Sequence, residues 1–377
     1  MKLRTLVDLV FHIRAISGGR SELLSSDSGS RREVFSAADF LRGIHSLTLA
    51  LEERGLAKGE RVAIFSENRP EWHTVDFACQ LLGAPTVAIA PGTTRQQVGF
   101  MLRNCASRWV FYRSFEQREI LLSLISTLTT PPELVAFEGE AAVEGGVSIT
   151  RLMGEGASRL GDVPIERYRG RIEEEDPACL VYSIPGPSED PQRDQLTQRD
   201  MVRHIQQLEP VIPLSHRDLA LSSSPLANLL PRSFDHLCFY RGAAIHYSDG
   251  ELLKTLQSEQ PSHLVAASNR YLEIHRAIQE AAARDSRWRR ILFRWGIEAG
   301  RRYAAASRTD FIGPWLALKR RLASALVFRR IDQQLGGNLR CLISDDQDLP
   351  TAVVDFYEAL GKPLLSGLEA DESQLAS

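Results

Sequence analysis

Apolar and polar positions along this chain fall into blocks whose period switches between two and 3.6. Arg61–Phe65 is a short apolar run after a Lys58-Gly59 turn. Pro70–Leu82 follows, with Trp72, Val75, Ala78 or Cys79 and Leu82 at helical spacing and Gly83 as the stop. The same reading predicts strands at Ala84–Ala90, Arg108–Tyr112 and Leu134–Phe137, with helices at Thr94–Cys105 and Gln117–Thr127 between them. Residues 138–177, rich in Gly, Glu and Arg and weakly periodic, read as a poorly packed connector. The pattern restarts with a strand at Ala178–Ser183, a loop, and a helix at Gln198–Leu208. Further strands are predicted at Leu219–Ser222, Ala243–Tyr247, His263–Ala267 and Leu339–Ile343, and helices at Phe234–Tyr240, Glu251–Glu259 and Asn269–Arg284. Strands alternating with helices imply an α/β protein, its sheets mostly parallel and covered on both faces. No internal repeat is visible.

Met1–Ile16 interrupts its apolar residues with Lys2, Arg4, Asp8, His12 and Arg14, which predicts an amphipathic first helix and a cytoplasmic protein rather than a signal peptide. Apolar runs such as Ala84–Ala90 fall short of the ~20 residues a membrane span needs. The 377 residues are 43% hydrophobic and 25% charged, enough for a sizeable core. With 48 acidic against 45 basic residues, net −3, the chain is no globally basic nucleic-acid binder. The charge is uneven, however. Residues 284–330 hold thirteen Arg or Lys, three acidic residues and three of the five tryptophans (Trp288, Trp295 and Trp315). This segment predicts two long helices broken near Gly313-Pro314. It reads either as a solvated basic face or as a docking surface for anionic lipid headgroups or an acidic partner. No nucleic-acid recognition motif accompanies it.

Cys79, Cys105, Cys179, Cys238 and Cys341 lie too far apart for a zinc knuckle or redox pair, and the nine histidines form no local ligand motif, so no metal site is expected. Ser215-His216 with Asp218 is too local for a nucleophile–base–orienter geometry, and Ser222–Ser224 lack elbow glycines. Glu173–Asp176 reads as a solvated charge run.

Glu60-Arg61-Val62-Ala63-Ile64, Glu67-Asn68-Arg69-Pro70-Glu71-Trp72 and Gly83-Ala84-Pro85-Thr86-Val87-Ala88-Ile89-Ala90-Pro91, taken together, resemble the adenylate-forming superfamily, in its long-chain fatty acyl-CoA synthetase branch. The likeness runs on through Glu175–Tyr182, Leu196–Val202, Leu326–Ile331 and Leu335–Arg340, covering about residues 30–370. The resemblance implies the N-terminal domain fold of these enzymes: two packed α/β subdomains with mostly parallel sheets, here residues 1–170 and 171–377. The implied activity joins a carboxylate to ATP, releases pyrophosphate and passes the acyl group to a thiol such as CoA. A small C-terminal lid domain carries a catalytic lysine in the family, and the resemblance implies that it is absent here.

The departures fall on the nucleotide motifs. The family's phosphate loop, about T-S-G-T-T-G-x-P-K-G, corresponds to residues 183–194, Ser183-Ile184-Pro185-Gly186-Pro187-Ser188-Glu189-Asp190-Pro191-Gln192-Arg193-Asp194. Ser183, Gly186, Ser188, Gln192 and Arg193 are its degenerate equivalents. One glycine is left, three prolines have no N–H to donate, Gln192 falls where the lysine belongs, and Glu189, Asp190 and Asp194 add negative charge. Downstream, Asn228 replaces a histidine while Arg232 is kept. Ala267-Ser268-Asn269 stands for V-P-R, and Ser344-Asp345-Asp346 stands for the S-G-G turn against adenine. Gly367–Glu372 stands for G-Y-G-L-T-E, with Glu372 matching the acidic residue used with Mg-ATP. By resemblance, an acyl pocket is expected near Asn228, Arg232 and Tyr247. The resulting expectation is a catalytically deficient pseudoenzyme that binds an acyl chain, an acyl-CoA or a protein partner, with no cofactor. ATP and Mg enter only if the site works after all. The alternatives are an active ligase whose C-terminal domain comes from another chain, and a scaffold at the membrane surface.

Overall fold

The structure is a computed structural model and describes residues 2–17, 19–28, 31–138, 146–183, 189–248, 250–307, 313–345 and 349–366. The chain divides into two compact units, Met1–His216 with Pro225–Ala244 and Arg217–Ser224 with Ile245–Ser377.

The first unit is built on a seven-stranded sheet. Its spatial order is Val147–Ser148, Glu133–Ala136, Trp109–Tyr112, Val62–Phe65, Thr86–Ile89, Pro177–Ser183 and Gln192–Thr197. Every neighbouring pair is parallel except the last, which is antiparallel. The expected division at 170/171 falls inside this unit, because Pro177–Ser183 completes its sheet beside Thr86–Ile89. Parallel strands covered on both faces need apolar residues at both parities. Val62 and Ile64 accordingly pack with Leu47, Trp72, Val75 and Leu152, whereas Ala63 and Phe65 pack with Val98, Met101 and Leu121.

Local chemistry sets the helix ends. Pro70 occupies the first turn of Pro70–Leu82, and Gly83 closes it in the left-handed region. Thr94 and Ser114 form capping boxes with Gln97 and Gln117 at the starts of Arg95–Cys105 and Phe115–Ile125.

Several expectations are corrected. The supposed connector 138–177 contains the helix Ile149–Ala157, whose Ile149 and Leu152 are buried against the long helix Ala37–Glu53. Gly156 makes that approach possible: a Cβ there would stand 1.8 Å from the Ser46 carbonyl oxygen. The weak periodicity reflects a short helix docked through glycine rather than through a wide apolar face. Within the charge run Glu173–Asp176, where Glu173 and Glu175 are exposed, Glu174 pairs with Arg4 and Arg199, Glu175 with Arg199, and Asp176 with Lys58 at 2.6 Å. The first helix, Leu6–Ser17, is packed inward, with Leu6, Val7, Leu9, Val10, Phe11 and Ile13 all buried. The hairpin Leu24–Ser28/Arg31–Phe35 and the helix Ala37–Glu53 have no counterpart in the sequence reading.

In the second unit the strands lie in the order Leu364–Leu365, Cys341–Ser344, His263–Ala266, Leu219–Ser222 and Ala244–Tyr247, the first four parallel. Tyr271 stitches two of them. Its buried hydroxyl lies 3.0 Å from the Leu264 carbonyl and 2.8 Å from that of Ile343. The basic segment forms the helix Arg287–Ser307, then Pro314–Ala323, with Pro314 in its first turn. A π-type turn, Ser324–Phe328, then leads into Arg329–Gln334. All five cysteines are buried and unbridged. No helix among the described residues is long and apolar enough to cross a membrane.

Gly156→Ala is expected to cost about 1–3 kcal/mol through forced separation of the two helices. The cost should appear as a lower urea midpoint at unchanged slope, and an unchanged midpoint would show that the contact yields.

Candidate functional site

Residues 183–194, matched by resemblance to the family's phosphate loop, run from the end of the strand Pro177–Ser183 into the strand Gln192–Thr197. Gln192, Arg193 and Asp194, expected within a loop, belong to the strand Gln192–Thr197, in register with Ser183, Tyr182 and Val181 respectively. Successive strand residues face opposite sides, so Gln192 and Arg193 never share a face. The Arg193 guanidinium reaches the Asn104 carbonyl at 3.5 Å, at the C-terminal end of Arg95–Cys105, and the Tyr182 hydroxyl donates to Asn104 Oδ1 at 2.7 Å. Arg193 therefore serves a helix terminus. Ser183, Glu189, Asp190, Gln192 and Asp194 are exposed, and residues 177–197 contain no lysine. Gly186 and Ser188 lie outside the described residues, as does Glu372.

A second eroded pair meets in the other unit. Ser268, at the start of Ser268–Ala283, lies with its hydroxyl 3.0 Å from that of Ser344. Asp345 follows Ser344, nearly buried, just past the carboxyl ends of the parallel strands where α/β sheets place ligands. A polyphosphate needs backbone N–H groups and cations, and these positions offer prolines and carboxylates instead. The described donors do not fit ATP with Mg.

The residues expected near an acyl pocket are placed apart in role. Asn228 is exposed at the N-terminal cap position of Leu229–Arg241, and Tyr247 is buried in the second unit. Arg232 turns into the core of the first unit, only 2% exposed. Its Nη2 lies 2.6 Å from Asp76 Oδ1 and 2.7 Å from Thr86 Oγ1, and its guanidinium stacks over Trp72.

Asp76 Oδ1 also accepts from Thr86 Oγ1 at 2.8 Å and from Gln80 Nε2 at 3.1 Å. Gln80 accepts from Gln198 Nε2 at 2.6 Å, and Gln198 accepts the Leu6 N–H at 2.9 Å. Beside this chain, His73 Nε2 lies 3.1 Å from Asp235 Oδ2, and His236 Nε2 lies 3.6 Å from Asp76 Oδ2. Burial alone would raise the Asp76 pKa, yet the Arg232 guanidinium holds it well below the usual carboxylate range. Burial pushes His236 down to about 4 against the pull of Asp76, so its imidazole is neutral at pH 7.

The sequence reading missed this cluster. Its signal is three buried polar residues at 73, 76 and 80 along one face of Pro70–Leu82, with partners 98 to 162 positions downstream.

Two units, each built on a mostly parallel sheet, define the class: an adenylate-forming-enzyme N-terminal domain fold. The AMP-binding enzyme family matches residues 22–368, and the chain belongs to that family. It is 26% identical over 352 residues to the long-chain-fatty-acid–CoA ligase FadD15 of Mycobacterium bovis, covering 90% of this chain and 56% of that one. It is 23% identical over 337 residues to fatty acyl-CoA synthetase A of Dictyostelium discoideum, covering 86% and 48%. The chain thus spans about half the length of the curated relatives it matches. The solved N-terminal domain of FACL13 from Mycobacterium tuberculosis superposes with a TM-score of 0.67 at 16% identity, over 98% of this chain and 77% of that domain. A long-chain-fatty-acid–CoA ligase of Archaeoglobus fulgidus gives 0.68 at 13% identity, over 96% and 63%.

Arg232→Leu strands the Asp76 carboxylate in the core and is expected to cost about 3–5 kcal/mol in chemical denaturation. A loss below about 1 kcal/mol would mean that water reaches the carboxylate.

Proposed function

We propose that this protein keeps the acyl-CoA synthetase-like N-terminal fold without forming acyl-adenylates, and that it acts by binding an acyl chain or a protein partner. The observation that carries this reading is the strand pair around residues 183–194, which has no lysine, places Gln192 and Arg193 on opposite faces, and spends Arg193 on a helix end. Each charge-assisted hydrogen bond lost to a phosphate forfeits about 1.5–3 kcal/mol, against about 8 kcal/mol for a whole micromolar site. The acyl chain enters through the relatives, which are named as ligases of long-chain fatty acids.

Thermal unfolding tests this directly. A retained site would be stabilised by about 2.7 kcal/mol with a non-hydrolysable acyl-adenylate analogue at a hundredfold its Kd, a shift of a few degrees. The expected result is no shift with the analogue, and a clear shift overturns the reading. A long-chain fatty acid alone, in a parallel arm, decides between the two kinds of ligand.

A second reading rests on a separate surface. Trp315, Leu318, Leu322 and Leu326 recur at helical spacing and are exposed, as are Trp288 and Ile291 on the preceding helix. Trp295 packs on the core instead. With Arg287, Arg290, Lys319 and Arg321 nearby in sequence, this arrangement suits peripheral docking on an anionic bilayer, apolar rings at the headgroup level and guanidinium groups on phosphates. Co-sedimentation should increase with the anionic lipid fraction and fall with salt, and Trp315→Ala should weaken it. Binding indifferent to lipid charge and salt, or none at all, removes this reading.

A further inference from the structure

We propose that His73, Asp76 and His236 form a metal site for a borderline divalent transition ion of the zinc class, built into the core of the first unit. One potential ligand atom from each lies within 4.8 Å of those of the other two. Tetrahedral zinc with bonds of about 2.0–2.2 Å would space its ligands at roughly 3.4 Å, so small side-chain rotations close the set. His73 and Asp76 stand at i and i+3 on Pro70–Leu82 and share a face, and His236 comes from Leu229–Arg241.

Unmet hydrogen bonding supplies the independent sign of a ligand. His236 is fully buried, yet neither ring nitrogen has a hydrogen-bond partner within 3.5 Å, Nε2 standing 3.6 Å from Asp76 Oδ2. Asp76 Oδ2 is likewise without one, although Oδ1 of the same carboxylate accepts three. Native cores pair more than about 90% of such groups, and a cation would satisfy an imidazole nitrogen and Oδ2 together. The donor set agrees. Asp76 and Asp235 supply two carboxylates against the single guanidinium of Arg232, a set that accommodates a divalent cation. Two imidazoles and one carboxylate suit zinc, cobalt or nickel rather than magnesium or calcium, which prefer oxygen.

The surroundings have the form of a second coordination shell. Asp235 lies behind His73 at 3.1 Å, fixing its ring, and Arg232 holds Oδ1 so that Oδ2 is left for the ion. Such an ion would clamp two helices and would enter during folding. Its three ligands belong to none of the nucleotide motifs, so the site stands whether or not adenylation survives.

The full chain should be purified without a metal-affinity step and assayed for bound metal by mass spectrometry. It should then be stripped by chelator in denaturant and refolded with or without Zn2+ or Co2+. The expected result is one zinc-class ion per chain, a higher Tm on refolding with Zn2+, and the visible absorption of tetrahedral cobalt with Co2+. His236→Gln should lose the ion, and Asp235→Asn should weaken binding about 10–100-fold. If His236→Gln does not fold, Asp235→Asn and the wild-type cobalt spectrum still decide. A cooperatively folded wild-type chain with no bound ion and no response to Zn2+ or Co2+ overturns the proposal. So does a folded His236→Gln variant that responds as the wild type does.

Discussion

The buried Asp76–Arg232 pair organises the first unit. Its carboxylate sits on the helix that covers the central strands, and its guanidinium comes from a helix that arrives about 150 residues later. Burying two full charges costs several kcal/mol each, and their attraction offsets this only with close geometry and further hydrogen bonds. Thr86, Gln80, Gln198 and the Leu6 N–H extend the network, tying a strand and two further helices to one carboxylate. A shift in any of them would leave a charge or an amide unpaired in the core. The pair is thus a weak source of net stability and a strict constraint on placement.

Because that constraint is internal, the scaffold is independent of the chemistry that its relatives perform. Ser183, Gln192 and Arg193 are exposed at the end of a strand pair, where substitution removes no core contact. Pro177–Ser183 pairs with Thr86–Ile89 through Cys179 and Leu180, away from residue 183. Arg193 shows the same economy: the cation nearest the expected lysine position is used to satisfy a helix carbonyl.

The basic helices of the second unit follow another rule. Gly296 and Gly300 let Arg287–Ser307 lie close to its neighbours. A Cβ at Gly300 would stand 2.3 Å from the Ala359 carbonyl oxygen, so this long helix buries little more than small residues. Leu292, Phe293, Trp295 and Ile297 still reach the core, while its arginines are left outward. Trp288 and Ile291 on this helix, with Trp315, Leu318, Leu322 and Leu326 on the segment after it, are exposed and give this surface its apolar character beside its cations.

Much of the architecture was legible in the chain itself. Pro70–Leu82 and Leu219–Ser222 were placed to the residue, because proline at a helix start, glycine at its end and unbroken apolar runs are local signals. The motifs around Glu60–Trp72 and Gly83–Pro91 carried the family, since they combine core positions with turn chemistry. Elements that dock through glycine or pair late were not legible. Ile149–Ala157 has too narrow an apolar face to announce itself, and Gln192–Thr197 is a polar edge strand defined only by its partner. The cluster at His73, Asp76, Arg232, Asp235 and His236 was hidden for a stronger reason. Sequence periodicity reports which face of an element is apolar, but whether a polar residue on that face is a defect or a designed contact depends on what the fold brings opposite. Here, only tertiary structure carries residues 232–236 back to residues 73–76, and with them the charge that makes burial tolerable.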